Sequence, residues 1–268
     1  MGRTFVGRIP ALASRLGPVC STSFRLAARI SNALRAGTPE RNFAALESVD
    51  LLLVCAPAPA FCSLVDSGFL TDIDWRNKTV LVCDSTILSG DIPLPRDCGA
   101  AVASLNPVPG LPNCFATEGD HQAVRIARLL ATALGGKAHH FPPERMLLYK
   151  AALSLTNSLF TPLIEGTVEC LRQSGMPTRE ATRLAEALLK ESLRAYRHSG
   201  RKSWSGPVAS GDRGAVERQY LAIAADKPLL ASYFRNAAEF AFDLYRTFPE
   251  LTRYDKARFS RSGKGPCS

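Results

Sequence analysis

A change of pattern at Phe141 constrains this chain more than any single motif does. Before it, short apolar runs alternate with helical spacing; after it, only helical spacing continues. The predicted strands are Val19–Ser21, Leu51–Ala56, Thr79–Asp84, Ala100–Leu105, Cys114–Thr117 and Ala138–Phe141. Helices are predicted among them at Phe24–Ala36, Ala60–Ser67 and His121–Leu134. Runs such as Leu51-Leu-Leu-Val-Cys55 show no polar alternation, the mark of parallel strands covered on both faces. Strands alternating with helices fold as a doubly wound α/β sheet. Beyond Phe141, helices are predicted at Glu144–Ser174, Arg179–Ser199, Gly214–Ala225 and Leu229–Phe248, with Gly175-Met-Pro177 and Ser205-Gly-Pro207 as breaks. The expected organisation is an α/β domain over residues 1–141, an all-helical domain over 142–255, and a basic disordered tail over 256–268.

Eight cysteines lie scattered without a C-x-x-C pair, and several sit inside apolar runs. That usage suits small buried hydrophobes in a reducing, cytoplasmic compartment rather than a zinc site or a disulfide framework. No histidine, cysteine or carboxylate cluster has metal-ligand spacing. No apolar run reaches the roughly 18 residues of a membrane helix. The net charge of +9 admits an anionic partner, but no aromatic-interleaved basic stripe points to nucleic acid.

The segment Glu144–Cys170 holds an unusual polar stripe: Lys150, Ser154, Asn157 and Thr161. On a continuous helix these offsets return to nearly one face. Among Leu153, Leu155, Leu159, Phe160, Leu163 and Ile164 the stripe either lines a polar cavity or is the solvent face of an amphipathic helix. An unpartnered lysine inside a core costs a few kcal/mol, which favours the cavity.

The N-terminus admits two readings. Thr4-Phe-Val could be a first strand, with Gly7 opening a phosphate loop. Alternatively a helix runs from Gly2 to Leu16, since Phe5, Ile9, Leu12 and Leu16 have helical spacing, although Pro10 falls inside it. Gly2 then stands where the third glycine of a dinucleotide fingerprint belongs, and the sheet lacks its first strand.

In order along the chain, Met1-Gly-Arg3, Asp50-Leu-Leu-Leu-Val-Cys-Ala-Pro57, Ser104-Leu-Asn-Pro107, Phe115-Ala-Thr-Glu-Gly-Asp120, Leu134-Gly-Gly136, Tyr149-Lys-Ala-Ala152 with Asn157, and Gly206-Pro-Val-Ala-Ser-Gly-Asp212 resemble a bacterial family. That family joins a Rossmann-like domain to a helical domain of unknown function. It is related to the 6-phosphogluconate dehydrogenase-like and pyrroline-5-carboxylate reductase-like oxidoreductases. The resemblance implies a Rossmann-like parallel sheet followed by an all-α domain, and an NAD(P)-dependent oxidoreductase. Its substrate would be a small carbonyl, imine or hydroxy acid bound between the domains. Two departures stand out: the family usually has histidine at the positions of Asn106 and Lys150.

The implied cofactor residues are Gly2, then Ser21, Thr22, Ser23 and Arg25 past the second strand, Ala56 and Pro57 past the next, and Ser85 beside Asp84. No carboxylate stands where an NAD ribose would be held, and hydroxyls with Arg25 suit a 2′-phosphate, so NADP is preferred over NAD. The implied catalytic residues are Lys150 as acid or base, with Asn157 and Asn106 orienting substrate or carboxamide. In relatives the spacing from lysine to amide is shorter than the seven residues here, and Ser154 occupies the intermediate position. Apolar residues on several faces of Leu229–Phe248 imply a homodimer through the helical domain. The alternative is a non-catalytic dinucleotide-sensing or interaction protein that retains the fold.

Overall fold

The computed structural model describes residues 9–247, except 67–72, 86, 93 and 95–97. Gly2, the Thr4–Val6 segment and the basic tail named above lie outside these residues. The chain divides into two compact units, Met1–Ala152 and Leu153–Ser268.

Unit one opens with α1 (Pro10–Ala13), β1 (Pro18–Val19), α2 (Phe24–Leu34) and β2 (Thr38–Pro39), then a 3₁₀ turn at Phe43–Ser48. There follow β3 (Leu51–Val54), α3 (Ala58–Asp66), β4 (Thr79–Val82), a 3₁₀ turn at Ser89–Asp91, and β5 (Ala101–Ser104). Its last elements are β6 (Asn106–Pro107), β7 (Cys114–Thr117), α4 (His121–Ala133), β8 (Lys137–His140) and the start of α5 (Pro143–Thr156). The helix expected from Gly2 to Leu16 is, within the described residues, the short α1 alone; Ile9 precedes it outside the helix. Proline is tolerated at a first helical position but not inside, so Pro10 begins the helix rather than kinking one.

β1 pairs parallel with β2, and β3, β4 and β5 form a second parallel sheet in that order. Among the described residues no strand joins β1 to β3. Continuous apolar sequence makes β4 the centre of the second sheet, buried at every position. Val80 and Val82 face a layer with Val54, Phe61, Trp75 and Ile87. Leu81 and Cys83 face the opposite layer, where α4 supplies Ala123, Val124, Ala127 and Leu130. Each fully buried Val or Leu contributes about 1.5–3 kcal/mol.

Beyond β5, β6 pairs antiparallel with β7 and β7 parallel with β8. An antiparallel bridge between Ala103 and Gly119 ties this part to β5. The first part of α5 belongs to unit one: Met146 is buried, and Phe141 stacks on Tyr149 with ring centres 4.6 Å apart.

Unit two takes the remainder of α5, then α6 (Phe160–Gln173), α7 (Thr178–Ser199), a 3₁₀ turn at Gly200–Ser203, α8 (Gly206–Ser210), α9 (Arg213–Ala224) and α10 (Pro228–Thr247). Gly206–Ser210, which begins within the expected break at Ser205-Gly-Pro207, is a short helix. Asp212 caps α9 by accepting the Ala215 N–H at 2.8 Å. The single helix expected over Glu144–Ser174 is two, broken at residues 157–159. Pro162 explains the break: it has no N–H for the Ser158 carbonyl and its ring crowds that carbonyl. The break is a widened turn in which the Leu159 N–H donates to the Ser154 carbonyl, five residues back, at 2.9 Å. The polar stripe therefore does not continue through to Thr161.

Val216, Ala238 and Phe242 form the small core of α9 and α10, with Val208 and Phe234 against it. No helix of the described residues is long and apolar enough to cross a membrane.

Candidate active site

Parallel strands deliver their carboxyl ends to one edge, where open α/β sheets bind ligands. Past β1 come Ser21, half-buried, and Thr22, Ser23 and Arg25, exposed. Ser23 caps α2: its hydroxyl oxygen accepts the Leu26 N–H at 3.3 Å. Past β3 come half-buried Ala56 and exposed Pro57; past β4, half-buried Asp84 and exposed Ser85. Past β5 comes Asn106, buried in β6 opposite Ala116. The expected residues of unit one thus follow strand ends, apart from Arg25 in the first turn of α2, Lys150 on α5, and Gly2, which lies outside the described residues.

Around Asn106 the interior is unusually polar. Ser104 and Thr117 are fully buried and Glu118 is nearly so. The Glu118 carboxylate is clamped by the 3₁₀ turn after β4, accepting the Ser89 N–H at 2.7 Å and the Ser89 hydroxyl at 2.6 Å. Its own N–H donates to the Ser104 hydroxyl, and its carbonyl accepts the Ser104 N–H. Sequence reasoning missed Glu118 as a functional residue. The available signal was a carboxylate inside the apolar run Cys114-Phe-Ala-Thr-Glu118, which has no packing reason to be charged.

Among the described residues four enclosed side-chain polar atoms have no hydrogen-bond partner: Ser31 Oγ, Asn106 Oδ1, Thr117 Oγ1 and Lys150 Nζ. Each such group costs about 1–3 kcal/mol, and groups of this kind call for a specific explanation. Three of them belong with the strand ends. Thr117 precedes Glu118 and is adjacent to the residue paired with Asn106. Lys150 reaches the same region from α5: its side chain is half-buried overall, but its Nζ is enclosed. Burial pushes the Lys150 ammonium below its ordinary pKa, and attraction to Glu118, then Asp91 and Asp84, offsets this only in part. Burial likewise raises the neighbouring Tyr149 phenol.

Asn157 does not share this enclosure. It is exposed at the widened turn, and Ser154 and Thr161 are exposed too. Of the predicted stripe only Lys150 has an enclosed polar atom, although Ser154 follows it one turn on in the same helix. The amide with an enclosed orphan oxygen is Asn106.

The donor set fits a dinucleotide in part. Exposed hydroxyls and Arg25 surround the N-terminus of α2, a favourable place for an anion, and Asn106 Oδ1 is an acceptor awaiting an N–H.

Residues 113–240 match a family model described as "Domain of unknown function (DUF2520)". No curated protein matches the chain by sequence. Solved structures do match by fold. A Bacteroides fragilis protein described as a putative NADP oxidoreductase superposes with a TM-score of 0.63 at 14% identity, over 90% of this chain and 93% of that one. The imine reductase from Myxococcus stipitatus in complex with NADP+ gives 0.58 at 14% identity, over 94% and 96%; its V8 variant is in complex with NAD+. The 1-pyrroline-5-carboxylate reductase from Streptococcus pyogenes gives 0.52 at 12% identity, over 84% and 88%. The family resemblance read from the sequence thus stands: a DUF2520 match over residues 113–240, in a chain with the Rossmann-like fold of these reductases.

Proposed function

We propose that this chain is an NAD(P)-dependent oxidoreductase of a small carbonyl, imine or hydroxy-acid substrate. The observation that carries the reading is the Lys150 ammonium, enclosed without a hydrogen-bond partner and with its pKa lowered. A core has no use for such a group, whereas a reaction that moves a proton needs one poised nearer the operating pH. The dinucleotide, when bound, supplies or accepts hydride. Lys150 Nζ would donate a proton to the substrate's oxygen or nitrogen on reduction and remove it on oxidation. Asn106 Oδ1, which can only accept, would orient an amide or iminium N–H. Arg25 and the hydroxyls of Ser21, Thr22 and Ser23 would hold the ribose end, and Arg25 favours a 2′-phosphate and hence NADP. Ala56 and Pro57 leave room for close backbone approach, and Ser85 would donate to the carboxamide.

The test is titration with NADPH and NADH by fluorescence, then turnover of an imine, ketone and hydroxy-acid panel. We expect binding of either dinucleotide, tighter for NADPH, and turnover of at least one substrate class. Binding without turnover of any class would favour the sensing alternative, which the replacement of both family histidines already supports. Absence of binding would remove both readings.

We also propose that the protein is a homodimer paired through the helical unit. On α10, Leu229 is 87% exposed and Phe240 66% exposed, beside Tyr233. Light scattering at micromolar concentration should give twice the chain mass; a monomer would refute the pairing.

A further inference from the structure

Two cysteines stand side by side where β3 and β4 end. The register pairs Val54 with Val82, so Cys55 and Cys83 are the next residues across two parallel strands. The Cys83 N–H still donates to the Val54 carbonyl at 2.8 Å, so the pairing reaches past the strands into this position. Successive side chains alternate between faces. Leu51 and Leu53 pack in the same layer as Leu81 and Cys83, whereas Val54, Val80 and Val82 pack in the other. Cys55 continues the phase of Leu51 and Leu53, so both thiols lie on one face of the sheet. The Cys83 thiol is within hydrogen-bonding reach of the Cys55 thiol. Neighbouring strands lie about 4.7–4.9 Å apart, inside the 4.4–6.8 Å Cα span that a disulfide requires. Neither cysteine is in a disulfide in this structure.

We propose that Cys55 and Cys83 form a reversible redox modification site, closing to a disulfide when the protein meets a small-molecule disulfide oxidant. The two differ in access. Cys55 is exposed, whereas Cys83 is only 7% exposed. Cys55 is therefore the attacking sulfur: its thiolate takes one sulfur of the oxidant and expels a first small thiol. Cys83 then loses its proton and attacks the Cys55 sulfur, expelling a second small thiol. Two protein thiols become one disulfide, and the two electrons reduce the oxidant to two thiols. The Cys55 neighbour and burial both raise the Cys83 pKa, which makes its attack the slow step and faster at higher pH.

The consequence follows from position. Cys55 immediately precedes Ala56-Pro57, and Cys83 immediately precedes Asp84-Ser85. A cross-link here ties together the two turns assigned above to the cofactor. This coupling rests on the proposed dinucleotide site; the disulfide itself does not.

The experiment treats the reduced full chain with oxidised glutathione and maps its peptides without reduction. The expected result is a Cys55–Cys83 cross-linked peptide, loss of two thiols per chain, and full reversal by dithiothreitol. Cys83→Ser should stop at a glutathione adduct on Cys55, Cys55→Ser should form neither species at these positions, and Cys62→Ser should behave as wild type. A wild-type protein that stops at the Cys55 adduct, or that cross-links Cys55 elsewhere, overturns the proposal. NADPH titration of both forms then separates the two claims. At least tenfold weaker binding in the oxidised form supports the coupling, and equal binding refutes it. If neither form binds NADPH or NADH while the cross-linked peptide is present, the proposed function fails and the redox site stands.

Discussion

Lys150→Met is expected to lower turnover by about a hundredfold or more, the usual scale for a general acid or base, while leaving the fold as stable as wild type or more so. The two effects run in opposite directions because one group causes both. Lys150 Nζ is enclosed and unpartnered, and the balance of burial against Glu118, Asp91 and Asp84 leaves its pKa lowered. The folded state therefore disfavours the ammonium relative to the unfolded chain. That penalty is fully present below the depressed folded-state pKa. It fades as pH rises through that value toward the ordinary 10.5 of a lysine. Methionine keeps most of the stem's apolar volume and removes the charge, so its stability advantage should be largest at neutral pH and shrink at alkaline pH. Thermal melts at the two pH values read this directly. Dinucleotide affinity should change little, since the ribose-end residues proposed above lie past β1. A purely structural lysine would give the reverse pattern, a lower melting temperature with turnover intact. That outcome would move the reading to the sensing alternative.

The sheet was legible because burial on both faces writes itself into sequence. Leu51–Val54, Thr79–Val82 and Cys114–Thr117 fall inside the predicted runs, since a strand covered on both faces is mostly apolar. The two-residue strands at Thr38–Pro39 and Asn106–Pro107 were not legible. Each is too short to show a period, and each is defined by its pairing with another strand. In the helical half, spacing located every long helix but not the break after Thr156. Apolar periodicity persists across Asn157–Leu159, and only the backbone chemistry of Pro162 interrupts it. Lys150 Nζ is enclosed where the first turns of α5 pack on unit one through Met146 and Tyr149. Asn157 keeps the helical phase of Lys150, its N–H donating to the Leu153 carbonyl at 3.0 Å, and is exposed. Glu118 carried one signal, a carboxylate within an apolar run, but its partner, the Ser89 turn, is brought to it only by the fold.

Gly119→Ala is expected to cost about 3 kcal/mol or more, the range reached when a substitution strains the backbone and also clashes with it. Gly119 has φ of +123°, which a residue with a Cβ rarely adopts. An added Cβ would be driven into the Val102 carbonyl oxygen, and would lie 2.7 Å from Ala103 Cα and 3.0 Å from Ser89 Oγ. The first two obstacles are backbone of β5, so no side-chain rotation relieves them. Relief would need the strand to move, and the strand is held on both sides of the bridge. The Ser104 N–H donates to the Glu118 carbonyl and the Asp120 N–H to the Val102 carbonyl, both at 2.8 Å. The Val102 N–H donates to the Asp120 carboxylate at 2.7 Å. Opening them would also loosen the Ser89 clamp on Glu118, whose charge helps to hold the Lys150 ammonium. The variant should therefore lose turnover together with stability, unlike Lys150→Met. Gly135→Ala is the comparator: its φ is +73°, but an added Cβ meets nothing within 4 Å. It should cost only the left-handed backbone penalty, about 1–2 kcal/mol. Urea midpoints of the two variants, followed by a probe confined to unit one, decide the matter. If Gly119→Ala is no less stable than Gly135→Ala, the close packing of residues 102–104 against 118–120 is not what holds the candidate site together.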